Sequence, residues 1–160
     1  MLSRYDPTPS EDELSYQFTT DSGDKYTAYF TEFFLQNEQG EDIEVTSFGF
    51  ERLKATQDGP PRFDAKIKAT IQYLLLEFFK KNADNAILYI CFPGDGMARN
   101  RKITFASWFN DLSNDFIKRD SYTKHAECNF YSSIIVSKNN PQKDNLINAF
   151  YHTLSYWMGE

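Results

Sequence analysis

At 160 residues, with 41% hydrophobic and 17% aromatic side chains, the chain can build one domain with a ring-rich core but not comfortably two. A formal net charge of -6 and a pI near 5.0 leave no global basic footprint for nucleic acid, so any phosphate contact has to be local. No apolar run reaches the roughly 18 residues that span a bilayer, and no apolar leader follows Met1. Cys91 and Cys128 are too few for a disulfide framework and form no Cys-x-x-Cys pair. The expectation is a cytoplasmic protein with reduced thiols and no membrane contact.

Residues 1–13 are polar, with Pro7, Pro9 and the acidic cluster Glu11-Asp12-Glu13, and read as a flexible lead-in to a single domain over 14–160. Leu14, Tyr16 and Phe18 alternate with polar residues, as do Tyr26, Ala28 and Phe30, which is strand periodicity. Asp21-Ser22-Gly23-Asp24 between them reads as a hairpin turn, and the polar stretch Asn37 to Asp42 as a second turn. Ile43 to Leu53 gives a third strand, with Gly49 a candidate bulge. Gln57-Asp58-Gly59-Pro60-Pro61 breaks the pattern. Asp64 then caps a helix whose apolar face is Phe63, Ile67, Ile71, Leu74, Leu75 and Phe78, with Lys80 and Lys81 at its end.

Ala86 to Phe92 is apolar on both faces and predicts a central strand covered on both sides. A second helix carries Phe105, Trp108, Phe109 and Leu112. Residues 114–128 fit either a loop or an irregular edge strand. Phe130 to Ser137 is a strand. Asn140 and Pro141 then start a last helix with the stripe Leu146, Phe150 and Leu154. The expected class is α+β: a three-stranded antiparallel meander followed by α-β-α-β-α, a mixed sheet with helices packed on it. This is a ribonuclease H-like element order.

The junction after the apolar strand is where chemistry is concentrated. Gly94-Asp95-Gly96 leads to Arg99, Arg101 and Lys102 near the expected start of a helix. Cations there oppose the positive end of the helix dipole, and a bound anion offsets that. Arginine forks suit phosphate or carboxylate. The competing explanations are that Asp95, Asp111 and Asp115 neutralise these cations, or that the helix starts nearer Ile103 and the run is a solvated loop. A phosphate-loop signature is absent.

A ribonuclease H-like nuclease needs carboxylates converging on two metal ions. Asp95 and Asp144 fit loosely, but Leu14 to Thr20 contains no acid and a third carboxylate has no obvious place. His125 and Cys128 give one H-x-x-C pair, His152 lies among tyrosines, and Cys91 sits in apolar surroundings that keep a thiol inert. None of these predicts a metal or catalytic site. The aromatic pairs, Phe33-Phe34 and Phe78-Phe79 among them, exceed the obvious needs of a small core. They leave room for a protein interface, with Trp157-Met158 the best exposed contact.

Leu88-Tyr89-Ile90-Cys91 through Asp95-Gly96, Ala98-Arg99-Asn100-Arg101-Lys102 and Trp108-Phe109 resemble an uncharacterised family of small Bacteroidota proteins. So do Phe18 to Gly23 with Tyr26 and Phe30, and Ser133-Ile134-Ile135 with Asn139-Asn140-Pro141. The resemblance implies a bacterial cytoplasmic protein of this size and supplies no activity. Where an acidic residue is expected after the cysteine, this chain has Phe92-Pro93.

The sequence thus favours a small non-enzymatic interaction or regulatory module without a cofactor. Its partner would be another protein or a second copy. Asp95 would orient Arg99, Arg101 and Lys102 toward an acidic or phosphorylated group. The alternative is a degenerate ribonuclease H-like metal-dependent nuclease.

Overall fold

The structure, a computed structural model, describes residues 3–54, 64–91, 106–109, 112, 114–125 and 128–158. In chain order the elements are β1 (Thr8–Pro9), β2 (Ser15–Thr19), β3 (Lys25–Gln36), β4 (Asp42–Lys54), α1 (Ala65–Lys81), β5 (Ala86–Cys91), α2 (106–109), β6 (Phe116–His125), β7 (Cys128–Ser137) and α3 (Lys143–Met158). The class is α+β, a seven-stranded mixed sheet with three helices. β1 is additional to the expected elements, and β6 falls where a loop or an edge strand was expected. The series does not confirm a ribonuclease H-like order.

The sheet runs β1-β2-β3-β4-β5-β7-β6. Every neighbouring pair is antiparallel except β4 and β5, which are parallel over Thr46 to Phe48 and Ile87 to Tyr89. A parallel neighbour cannot be reached by a hairpin, so the chain crosses over through α1. Asp64 caps that helix by accepting from the Ile67 N–H at 2.7 Å, and the Asn82 N–H closes the other end on the Phe78 carbonyl at 2.9 Å. At α3 the Asn140 Oδ1 accepts from the Gln142 N–H at 2.8 Å, so the turn at Pro141 leads into the helix.

Strand alternation sorts the core into two clusters, one on each face. Ile87 and Tyr89 of β5 join Phe30, Phe48, Ile67, Ile71 and Phe79 on the α1 face. Ala86 and Leu88 join Leu35, Val45, Ile134, Phe150 and Leu154 on the α3 face. Ile87 and Leu88 are both essentially inaccessible, which explains a strand with no polar face. Most of the aromatic surplus is spent here. Phe30 stacks on Phe78 at 5.3 Å, Phe50 meets Trp108 at 5.5 Å and Phe79 meets Phe116 at 4.7 Å.

The structure adds detail in three places. Residues 3–13 make contacts that their polar composition does not announce. The Tyr5 N–H donates to Thr70 Oγ1 at 2.9 Å, the Tyr5 hydroxyl donates to Asp64 Oδ2 at 2.7 Å, and the ring stacks on Phe18 at 5.8 Å. A buried ring outweighs the polar composition around it. Residues 116–125 form a regular edge strand in continuous register with β7. Gly49 is not a bulge: it sits in register opposite Tyr29, and the register shift lies instead at Lys25/Tyr26. The Tyr29 ring lies over Gly49, where an added Cβ would meet Tyr29 Cζ at 2.5 Å. The glycine makes room for the ring that covers it.

Burial, aided by the Asp64 carboxylate and opposed by the Asp21 N–H, pushes the Tyr5 hydroxyl up to about 12 from 10.0. Below about pH 10 the phenol is neutral in both folded and unfolded chains. Between there and about pH 12 only the unfolded chain ionises, so stability falls as pH rises through that window. Urea titrations should therefore show a steeper loss for the native chain than for Tyr5→Phe between about pH 9 and about pH 11. At neutral pH the substitution should cost about 1 kcal/mol.

Candidate binding surfaces at opposite ends of the sheet

β5 leaves the sheet at Cys91, opposite Tyr131 and on the side where β4 reaches Phe50. The sequence-nominated residues Asp95, Arg99, Arg101 and Lys102 follow within eleven positions and lie outside the described residues. The sheet nevertheless fixes where that segment is attached. Lys25 and Lys54 are register partners at the same end, close to Arg52, with Asp24 just before β3 and Glu51 in β4. Asp144 is attached elsewhere. It lies in the first turn of α3, which follows Ser137, and β7 reaches that end of the sheet beside Ala86, the first residue of β5. Asp144 thus lies toward the end of the sheet where β5 begins, whereas Asp95 follows the last residue of β5 in the chain. Among the described residues no group of three or more His, Cys, Asp or Glu is placed to hold a metal ion.

A second surface was not foreseen. Beyond the last turn of α1, the face of the sheet that the helix covers runs on uncovered. The even positions of β3 read Phe30, Glu32, Phe34, and their partners on β4 read Phe48, Thr46, Glu44. Phe30 and Phe48 lie beneath α1, whereas Phe34 is 50% exposed. The turn between β1 and β2 forms the opposite bank, with Leu14 55% exposed. The result is an open groove of about 660 Å³ with Tyr16, Phe30, Leu74 and Phe78 in its floor and walls.

Its rim is acidic. Asp12, Glu13, Glu32, Glu44 and Glu77 line it, with Lys81 the one cation among the lining residues. Asp12 accepts from the Ser10 hydroxyl at 2.6 Å and the Leu14 N–H at 3.0 Å, and these bonds hold its carboxyl below the usual range. Glu13 beside it has φ 58, the left-handed region that a non-glycine residue rarely takes. Glu77 pairs with Lys80 at 3.1 Å across solvent. The neighbouring hairpin adds Glu38, Glu41 and Asp42, which line an adjoining depression together with Glu44.

One signal for this surface was available. Residues 1–54 hold twelve Asp and Glu against four Lys and Arg, whereas the remainder holds eleven against thirteen. The acid excess lies in residues 1–54, mostly in the turns and lead-in that flank β2 to β4.

Other nominated residues carry less. His152 is half-buried on α3. The backbones of His125 and Cys128 pair across the β6–β7 hairpin. The side chains of His125, Cys128, Cys91, Trp157 and Met158 lie outside the description. Phe33 and Phe34 divide between the two faces: Phe33 packs against the α3-side cluster and Phe34 faces solvent.

A family model described as a family of unknown function, DUF6169, matches residues 63–152. That is more than half of the chain, and the protein belongs to this family. The matched stretch runs from α1 into α3 and includes Asp95, Arg99, Arg101 and Lys102, while β1 to β4 lie outside it. Comparison with curated proteins and with solved structures gives no match.

If the groove is an open surface rather than an extension of the core, its exposed apolar residues carry little stability. Leu14→Ser and Phe34→Ser should each change the unfolding free energy by less than about 0.5 kcal/mol in urea. Phe30→Ala and Phe48→Ala, a few ångströms deeper, should each cost about 3–5 kcal/mol.

Proposed function

We propose that this protein is a small interaction or regulatory module rather than an enzyme. Its anion-recognising segment follows β5, with Asp95 orienting Arg99, Arg101 and Lys102 toward a carboxylate or phosphate on a protein partner or on a second copy. The observation that carries this reading is the position of β5. A strand whose residues Ala86 to Tyr89 are buried, between a parallel and an antiparallel neighbour, is a firm mooring. The basic run begins eight positions after its last residue. Binding residues gain from being held on segments anchored in such a scaffold. Guanidinium groups pair bidentately with planar or tetrahedral oxyanions, which gives selectivity a lysine cluster lacks. Bacterial origin and a cytoplasmic site of action complete the reading. They rest on the sequence resemblance, and on the absence of any helix in the described chain long and apolar enough to cross a membrane.

The nuclease alternative gains nothing from the topology, because Asp144 and the exit of β5 belong to opposite ends of the sheet.

Ligands that bind the folded state raise its melting temperature by mass action. Inorganic polyphosphate should raise the melting temperature of the native chain and leave that of an Arg99→Ala/Arg101→Ala variant unchanged, with both proteins equally stable in its absence. An unfolded double variant would make the arginines structural. The same shift in both proteins would remove them from the site. A shift with Mn²⁺ accompanied by cleavage of a nucleic acid would favour the alternative.

A further inference from the structure

The geometry points to the groove between α1 and the open ends of β2 to β4 as a docking site for a basic amphipathic segment of a partner protein. This surface is distinct from the segment after β5. Two independent features converge on it.

The first is exposed apolar area where a soluble domain normally shows little. Leu14 and Phe34 are at least half exposed. Leu14 lines the groove, whose floor holds the buried Phe30 in ring contact with Tyr16 at 6.1 Å and Phe78 at 5.3 Å; Phe34 lies on the same face of β3, two positions past the lining residue Glu32. Neither exposed side chain contributes to the two core clusters. An exposed apolar floor with a polar border is a usual mark of a protein-binding site.

The second is charge. Five carboxylates border this apolar floor against one lining lysine. They come from three segments distant in sequence: the β1–β2 turn, the ends of β3 and β4, and α1. A cationic ligand pairs with these carboxylates while its apolar side chains cover Leu14 and reach Phe34. Field lines from a one-sign cleft also raise the encounter rate with an oppositely charged partner.

The helix end is compatible with both. α1 finishes at Lys81 on the groove, and Lys81 and Asn82 line it. The last carbonyls of a helix carry partial negative charge, which favours cations and disfavours anions at that position. Lys80 and Lys81 already complement that charge, so the helix end adds no preference for an anion and the sign of the ligand is set by the carboxylates.

A second copy of this chain is the poorer occupant. Each copy carries a net charge of -6, and residues 1–54, which supply most of the groove's carboxylates, carry the acid excess, so two such faces repel. The complementary partner presents Lys or Arg interleaved with apolar side chains, docking its apolar residues on Leu14, Phe34 and Phe78 and its cations on Glu32, Glu44 and Glu77.

The test uses the full chain and a fluorescent peptide of about ten residues alternating Lys and Leu, followed by anisotropy at low and high salt. The native chain should bind it, with affinity falling as salt rises. Glu32→Gln/Glu44→Gln and, separately, Phe34→Ser should each weaken binding by about tenfold, because one removes the charge partners and the other the apolar contact. Glu51→Gln, at the far end of the sheet, should bind as the native chain does. All three positions named for weakening are exposed, so melting temperatures should match the native value. Should the double variant melt early, Glu44→Gln alone carries the test. The proposal is overturned by no binding, by equal binding in every variant, or by equal binding of a matched Glu–Leu peptide. It is also overturned if sedimentation shows a dimer of the native chain that Phe34→Ser dissolves, since the occupant is then a second copy.

Discussion

Everything in this molecule hangs on the burial of β5. Its parallel pairing with β4 obliges the chain to cross over one face of the sheet, and α1 is that crossover. Its antiparallel pairing with β7 brings α3 onto the other face, because α3 follows β7 directly. A six-residue strand thereby acquires a helix on each side, and its side chains become the shared centre of two separate clusters. Burying one large aliphatic side chain is worth about 1.5–3 kcal/mol, so Ile87 and Leu88 alone contribute a substantial part of a marginal total. Without both helices the strand would expose hydrophobic surface on whichever face was left bare.

The same arrangement divides the molecule electrostatically. The start of β5 lies at the end of the sheet where the groove and the acidic hairpin gather. Its exit lies at the other end, where the chain continues into Arg99, Arg101 and Lys102. The two proposals thus concern residues of opposite sign: the groove lined by α1 and residues of β2 to β4, and the segment that follows β5 in the chain. The -6 net charge hides this division, because it averages an acidic front third with a slightly basic remainder.

Much of this was legible in the sequence for a physical reason. Where a segment's burial depends on its own pattern, periodicity reports it. The unbroken apolar run at Ala86 to Ile90, the cap at Asp64 and the asparagine before Pro141 each encode their local outcome. Segments held by distant partners gave no such signal. β1 is two residues long and exists because β2 lies beside it, while Tyr5 finds its place through Thr70 and Asp64, more than fifty residues away. β6 pairs with one neighbour only, and past Phe116 and Ile117 it reads Lys-Arg-Asp-Ser, the charged composition of an edge strand that resists pairing with further chains. The groove was harder still. It assembles from three segments whose meeting depends on register, and its only local trace is the break at Glu32 in the apolar face of β3. That break marks the point where the cover of α1 ends.

Native-state hydrogen exchange is the most direct measure of whether β5 is the centre on which both clusters close, since protection reports the free energy needed to open each strand. The account predicts that the amides of Ile87, Leu88, Tyr89 and Ile90, with those of Ile134 and Ile135, exchange slowest and only through global unfolding, while those of β1 and β6 exchange through local opening. Fast exchange across β5 with slow exchange confined to β2, β3 and β4 would contradict it, for the sheet would then hold together without the strand on which the helices converge.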